Sequence, residues 1–187
     1  MTSQTGRLER TWTVTADDEV ATRAWGARVG RAARDAGVAG VLIALEGDLG
    51  AGKTVFVQGL AQGLGLPPDA PVVSPTFTIA RSYPVPGAAL VLHHLDAYRL
   101  EGAEDLEGIG FEEMRGKGCV TCVEWASRVA DALPEERIDL CIEMLAMTAP
   151  YVPGSAPRAP RRLLFHATGA EEVALLRAVE DARGTET

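Results

Sequence analysis

Lysine is nearly absent from this chain: 187 residues include only two, Lys53 and Lys117, beside sixteen arginines. A residue so rarely used is a poor filler, and one of the pair stands inside a phosphate-binding pattern. Positive charge is scarce as well. Asp and Glu number 26 against 18 Lys and Arg, a net charge of −8. Phosphate neutralisation dominates affinity for RNA and DNA, so this balance argues against strong direct nucleic-acid binding. Arg158, Arg161 and Arg162 make the only dense basic cluster. There is no run of about 18 apolar residues, and no membrane-spanning helix is expected. Met1 to Arg10 is polar and lacks the apolar core of a signal segment, so the expected location is cytoplasmic.

Cysteine is sparse too: Cys119, Cys122 and Cys141, an odd number with no disulfide framework. Cys119 and Cys122 form a C-x-x-C, which invites a zinc or redox reading. No second pair exists, and the segment reads as a strand, on which residues three apart point to opposite faces. Buried core thiols are the expectation. His93-His94 lacks a third ligand at a useful spacing and reads as strand-end packing.

What the chain does have is Gly47-Asp48-Leu49-Gly50-Ala51-Gly52-Lys53-Thr54, a complete G-x-x-x-x-G-K-[ST] P-loop. Glycines let successive N–H groups point into one concave nest. The lysine reaches the β- and γ-phosphates and the threonine hydroxyl ligates Mg²⁺. The following helix adds the partial positive charge of its N-terminus. Context favours this over an accidental Gly-rich turn. Val41 to Leu45 is a short apolar run of buried-strand character, and Val57, Leu60, Ala61 and Leu64 recur at helical spacing before Gly65 and Pro67-Pro68. A nucleoside triphosphate and Mg²⁺ are thus the expected ligands.

The length and 47% hydrophobic content suit one domain, residues 1–187. Thr11 to Val14 reads as a strand, and Thr15-x-x-Asp18 resembles a capping box opening a helix to about Ala36. Phe77 to Tyr83 and Ala88 to Leu95 read as strands joined across Pro84-Val85-Pro86-Gly87. Glu101 to Arg115 is acidic and partly helical. Cys119 to Val123 is a strand followed by a helical stretch near Trp125 to Leu133. Ile138 to Met144 alternates like a half-buried antiparallel strand, with Arg162 to Ala167 as its partner and a Pro-rich loop at about 150–160 between them. Glu171 to Arg183 is a final amphipathic helix, and residues 184–187 are expected to be a disordered tail. The fold class is α/β: a single P-loop NTPase domain with a mixed parallel and antiparallel sheet flanked by helices, small and lidless.

A P-loop needs an acidic residue on a neighbouring strand to hold Mg²⁺ or its waters. Two candidates share one form. Leu90 to Leu95 ends in Asp96, and Cys119 to Val123 ends in Glu124.

Five segments in order then resemble a specific family. They are Gly47 to Thr54, Ser74-Pro75-Thr76-Phe77-Thr78, His94-Leu95-Asp96-Ala97-Tyr98-Arg99-Leu100, Glu104-Asp105-Leu106-Glu107 with Gly110, and Val123-Glu124-Trp125. The series, over roughly residues 15 to 145, is similar to the bacterial TsaE (YjeE) family. These are small P-loop ATPases that work with a TsaB–TsaD pair in making threonylcarbamoyladenosine on tRNA. The resemblance implies that Gly47 to Thr54 bind ATP, that Thr54 and Glu124 are metal ligands, and that Asp96, with Lys53, serves catalysis. It also implies slow hydrolysis without TsaD-type and TsaB-type partners, and contact with tRNA only through them. Ser74 to Thr78 resembles a switch-like segment, with a plain turn as the other reading. Arg99 or Arg81 could supply an arginine finger in cis, and Arg161 or Arg162 could reach the nucleotide. The chain departs from the pattern at Val55 and Ala126, where the family usually has threonine and proline. The main alternative is a small-molecule kinase built on the same loop. A GTP-dependent switch is disfavoured, since no [NT]-K-x-D segment exists to read guanine.

Overall fold

The computed structural model describes residues 7–146 and 159–183. Most of the Pro-rich loop at 150–160, and the tail 184–187, lie outside those residues. The chain runs β1 (Glu9–Ala16), α1 (Glu19–Ala36), β2 (Val41–Glu46), α2 (Lys53–Leu64), β3 (Ala80–Pro84), β4 (Val91–Asp96), α3 (Ala103–Gly108), β5 (Cys119–Glu124), β6 (Arg137–Met144), β7 (Arg161–Thr168) and α4 (Ala170–Arg183). Short 3-10 turns at Ala97–Arg99, Phe111–Arg115 and Ala126–Ala132 fill the connections.

All seven strands join one mixed sheet in the order β1-β7-β6-β2-β5-β4-β3. β6, β2, β5 and β4 run parallel, while β7 and β3 pair antiparallel at the flanks. The architecture is therefore a single α/β domain with a mixed sheet. Its central strands are apolar on both faces because both are covered. Ile43 and Leu45 of β2 join one cluster with Trp25, Phe56, Leu60 and Val179 from α1, α2 and α4. Leu42 and Ala44 point the other way and meet Leu106, Phe111 and Val129. Trp12 of β1 closes the larger cluster, 5.3 Å from Trp25 edge-to-face and 5.6 Å from Phe165 in a stack.

α1 and α2 approach unusually closely, along a seam of four glycines. A Cβ on Gly26 would lie 2.1 Å from the Phe56 carbonyl oxygen, and one on Gly59 only 1.9 Å from that of Arg23. Gly30 and Gly63 make the same kind of backbone contact, each at 2.2 Å. Any side chain there would push the helices apart. Because α2 begins at Lys53, this seam fixes where the P-loop helix stands.

Three local readings need correction. The N-cap of α1 is Asp18, whose Oδ1 accepts from the Ala21 N–H at 2.8 Å, and Thr15 lies inside β1. The sheet claims Thr15 through its pairing with Arg162, which outweighs a local cap. Residues Phe77 to Ile79 form a turn, with Ile79 at φ 65°, and β3 starts only at Ala80. Thr78 and Ile79 N–H groups both donate to the Pro75 carbonyl, which closes that turn before the strand can begin. β6 alternates in burial as expected and pairs antiparallel with β7, but its other neighbour is the parallel β2. The alternation arises because helices cover only one face of this half of the sheet: Ile138, Leu140 and Ile142 are buried, while Arg137, Asp139, Cys141 and Glu143 are half-exposed. No helix among the described residues is long and apolar enough to cross a membrane.

Candidate functional site

The C-terminal ends of the parallel strands meet at one edge of the sheet, where open α/β folds place their ligand crevice. β2 leads directly into the loop Gly47–Gly52, and α2 leaves it at Lys53. Gly47 has φ 141°, and a Cβ there would strike the Ile142 carbonyl oxygen at 2.3 Å. Only glycine lets the loop turn this tightly over β6. The N-terminus of α2 then points its free N–H groups and partial positive charge into the loop.

Lys53 is the first helical residue and is only 5% exposed. Its Nζ donates to the carbonyls of Gly47 at 2.6 Å and Asp48 at 3.1 Å, and lies 3.7 Å from the centroid of the Trp125 ring. Burial lowers its pKa, opposed by the negative fields of Glu124, Glu46, Asp96 and Asp48. Trp125 follows β5 in a left-handed conformation (φ 59°), which turns its ring back over the lysine, and Tyr98 packs against it with centroids 5.3 Å apart.

The two acid-tipped strands are direct neighbours, with Asp96 and Glu124 in register across β4 and β5. Both carboxylates are buried. Glu124 Oε1 accepts from the Thr54 hydroxyl at 2.7 Å, so the P-loop threonine and the tip of β5 are joined. That bond uses the threonine hydrogen and leaves its oxygen lone pairs for a cation. Asp96 does something different. Its Oδ2 accepts from the Ser74 and Thr76 hydroxyls at 2.7 and 2.6 Å, and its Oδ1 caps the following turn at the Tyr98 N–H, 3.0 Å away. The 74–79 segment is therefore a turn held by its hydroxyls to Asp96.

Oxygen donors dominate the site: one hydroxyl and several carboxylates, with phosphates to be added by a nucleotide. This set fits Mg²⁺, a hard cation that keeps waters and takes only one or two protein ligands. Among the described residues, no three His, Cys, Asp or Glu side chains cluster as a metal cage. Cys119 and Cys122 are free thiols, both buried, and burial pushes the Cys122 thiol strongly upward.

Arg161 and Arg162 separate cleanly. Arg161 is buried beneath the P-loop, where its Nε donates to the Ala51 carbonyl at 3.0 Å and its other nitrogens reach the Ala159 carbonyl and Glu19. Arg162, one residue on, faces the opposite side of β7 and pairs with Glu143. Arg99 lies over the exposed Phe77 ring at 5.5 Å, and Arg81 sits exposed on the edge strand β3.

The histidine pair also splits. His93 is the strand packer, its Nδ1 2.8 Å from the Ser82 hydroxyl. His94 is fully buried, and its Nε2 lies 2.8 Å from Glu124 Oε1. His94 is packed within β4 as well, but it also hydrogen-bonds a carboxylate of the site. The signal available was the spacing His94-x-Asp96, which puts both on one face of β4.

The model of the family "Threonylcarbamoyl adenosine biosynthesis protein TsaE" matches residues 16–149. The chain is 42% identical over 126 residues to the tRNA threonylcarbamoyladenosine biosynthesis protein TsaE of Treponema pallidum (strain Nichols), covering 67% of this chain and 86% of that one. It is 45% identical over 105 residues to the Bacillus subtilis (strain 168) protein of the same description, covering 56% and 62% respectively. Among solved structures it is similar to Bacillus subtilis YdiB, with a TM-score of 0.69 at 28% identity, over 94% of this chain and 98% of that one.

Proposed function

The chain belongs to the TsaE family, and on that premise we propose that it is the ATP-binding and ATP-hydrolysing subunit of tRNA N6-threonylcarbamoyladenosine synthesis. It acts in the cytoplasm with TsaB-type and TsaD-type partners and permits their repeated turnover. The observation that carries this reading is the join between Thr54 and Glu124 beside in-register Asp96, at the mouth of a P-loop.

In this reading the loop N–H groups from Gly47 to Gly52 hold the triphosphate, and Lys53 exchanges its two carbonyl acceptors for phosphate oxygens. Burial makes that exchange favourable, since a desolvated ammonium gains more from a charged partner than from two carbonyls. Thr54 and Glu124 would hold Mg²⁺, which supplies charge neutralisation on the phosphates when bound. Asp96 fixes the Ser74 and Thr76 hydroxyls and serves, with that turn, to position the attacking water. Arg99 lies over Phe77 of that same turn, and Arg81 is exposed on the edge strand β3. In this reading hydrolysis by the chain alone is slow, and a partner completes the site. The net charge of −8 supports contact with tRNA through the partners.

ATP hydrolysis by the purified chain, measured with and without a TsaB–TsaD pair, tests the proposal. Stimulation by the pair, lost with Lys53→Ala, is expected. Phosphate transfer from labelled ATP to a metabolite would favour a kinase instead, and hydrolysis by Lys53→Ala at the wild-type rate would overturn the site.

A further inference from the structure

Glu124 Oε1 takes two hydrogen bonds, one from Thr54 at 2.7 Å and one involving His94 Nε2 at 2.8 Å. A carboxylate is acceptor-only, so the bridging hydrogen belongs to His94 Nε2. The ring is fully buried on β4, opposite the equally buried Cys122 of β5. Its second nitrogen, Nδ1, is buried with no hydrogen-bond partner among the described residues. An orphaned polar atom in the interior is costly, and an apolar side chain at this position would avoid it. The arrangement is explained if the Nε2–H bond serves the site.

We infer that His94 is a positioning residue for Glu124: with Thr54 it saturates Oε1, fixes the plane of the carboxylate, and so presets the metal-facing geometry. Both donors sit on Oε1, and among the described residues no donor reaches Oε2, which stays open as an acceptor. With the partner group on the neighbouring strand and both side chains buried, the bond sits where low dielectric strengthens it. Supporting groups of this kind alter metal affinity by about 10- to 100-fold when removed. In this role His94 acts only through Glu124.

The inference rests on reading Glu124 as a metal-side carboxylate, and the experiment separates the two. Mn²⁺ binding to the protein loaded with a non-hydrolysable ATP analogue is followed by electron paramagnetic resonance, and metal-free nucleotide affinity is measured alongside. His94→Phe keeps a ring and removes the donor. His94→Leu is the second donor-less variant if the larger ring does not fit. His94→Gln can restore an N–H near the Nε2 position. Expected for the donor-less variant is about 10- to 100-fold weaker Mn²⁺ binding, with metal-free nucleotide affinity within about twofold of wild type, substantial recovery with Gln, and no further loss in a Glu124→Gln background. Unchanged Mn²⁺ binding in the donor-less variant while Glu124→Gln is defective would overturn the role of His94 alone. An equal fall in metal-free nucleotide affinity, or no recovery with Gln, would reduce His94 to a packing residue. Normal Mn²⁺ binding by Glu124→Gln would overturn the reading of Glu124 and this inference together.

Discussion

Gly59→Ala adds one methyl group to the buried seam between α1 and α2, and the structure sets its cost. The new Cβ would stand 1.9 Å from the Arg23 carbonyl oxygen of α1. Real Cβ contacts stop near 3.0 Å, so the helices must part by about 1 Å. The obstacle is backbone and cannot rotate away. Gly26, Gly30 and Gly63 make comparable contacts in the same seam, so no neighbouring slack exists to absorb the shift. Overpacking of this kind costs about 3 kcal/mol, the upper end of the usual range. Alanine returns about 1 kcal/mol through helix propensity. The net loss is about 2 kcal/mol, or about 4–8 °C in Tm for a chain of this size. Thermal unfolding by circular dichroism measures it. Gly108→Ala is the control: it lies in α3 with nothing within 4 Å of its added Cβ, and should be neutral or stabilising by up to about 1 kcal/mol. Because α2 carries Lys53 and Thr54, Gly59→Ala should also weaken ATP binding. A Gly59→Ala protein that melts at or above the wild-type temperature would refute the close-packing argument.

Arg161→Met removes a buried guanidinium that ties Ala51 to Ala159, and should cost about 2 kcal/mol in urea unfolding, whereas exposed Arg162→Met, which loses only Glu143, should cost under about 1 kcal/mol. Glu172 is a buried carboxyl whose pKa is raised above 4.5, first by desolvation and then by Glu171 and Glu136. Its folded form favours the proton, so stability falls as pH rises through and above 4.5. Glu172→Gln should therefore raise Tm at pH 7, and the gain should fade as the pH is lowered below 4.5; an equal gain at both extremes would refute the desolvation argument. Asp96→Ala should keep nucleotide binding, measured by calorimetry, and lose turnover, while Glu124→Ala should raise the Mg²⁺ concentration needed for half-maximal hydrolysis. Equal loss of nucleotide affinity in both variants would collapse the division of roles between the two strand tips.

The legible parts of this fold were those whose cause is local. The strand, loop and helix around Lys53 follow from a contiguous stretch of sequence, and α1 ends where Gly37 takes a left-handed conformation. Strand tips with Asp96 and Glu124 were readable as acids after apolar runs. Their partners were not. Ser74 and Thr76 reach Asp96 across about twenty residues, and His94 reaches Glu124 across 30, so the pairs depend on which strands become neighbours. Arg161 and Arg162 are indistinguishable in composition; the register of β7 with β6 decides that one faces the core beneath the loop and the other the open side. The glycine seam is the same lesson. Gly26-x-x-x-Gly30 and Gly59-x-x-x-Gly63 are visible as spacings, but their meaning needs two helices facing each other. At Thr15 and Phe77 local preference lost, once to sheet pairing and once to a turn anchored on Asp96.

The central claim is that hydrolysis at Lys53 resets partner proteins between rounds of tRNA modification. The most direct measurement is a threonylcarbamoyladenosine-forming reaction reconstituted with TsaB and TsaD, with tRNA in excess over enzyme. Wild-type chain should sustain many turnovers per complex. Lys53→Ala, and wild type supplied with a non-hydrolysable ATP analogue at this site, should stop near one turnover. Continued cycling with Lys53→Ala at the wild-type rate would contradict the account.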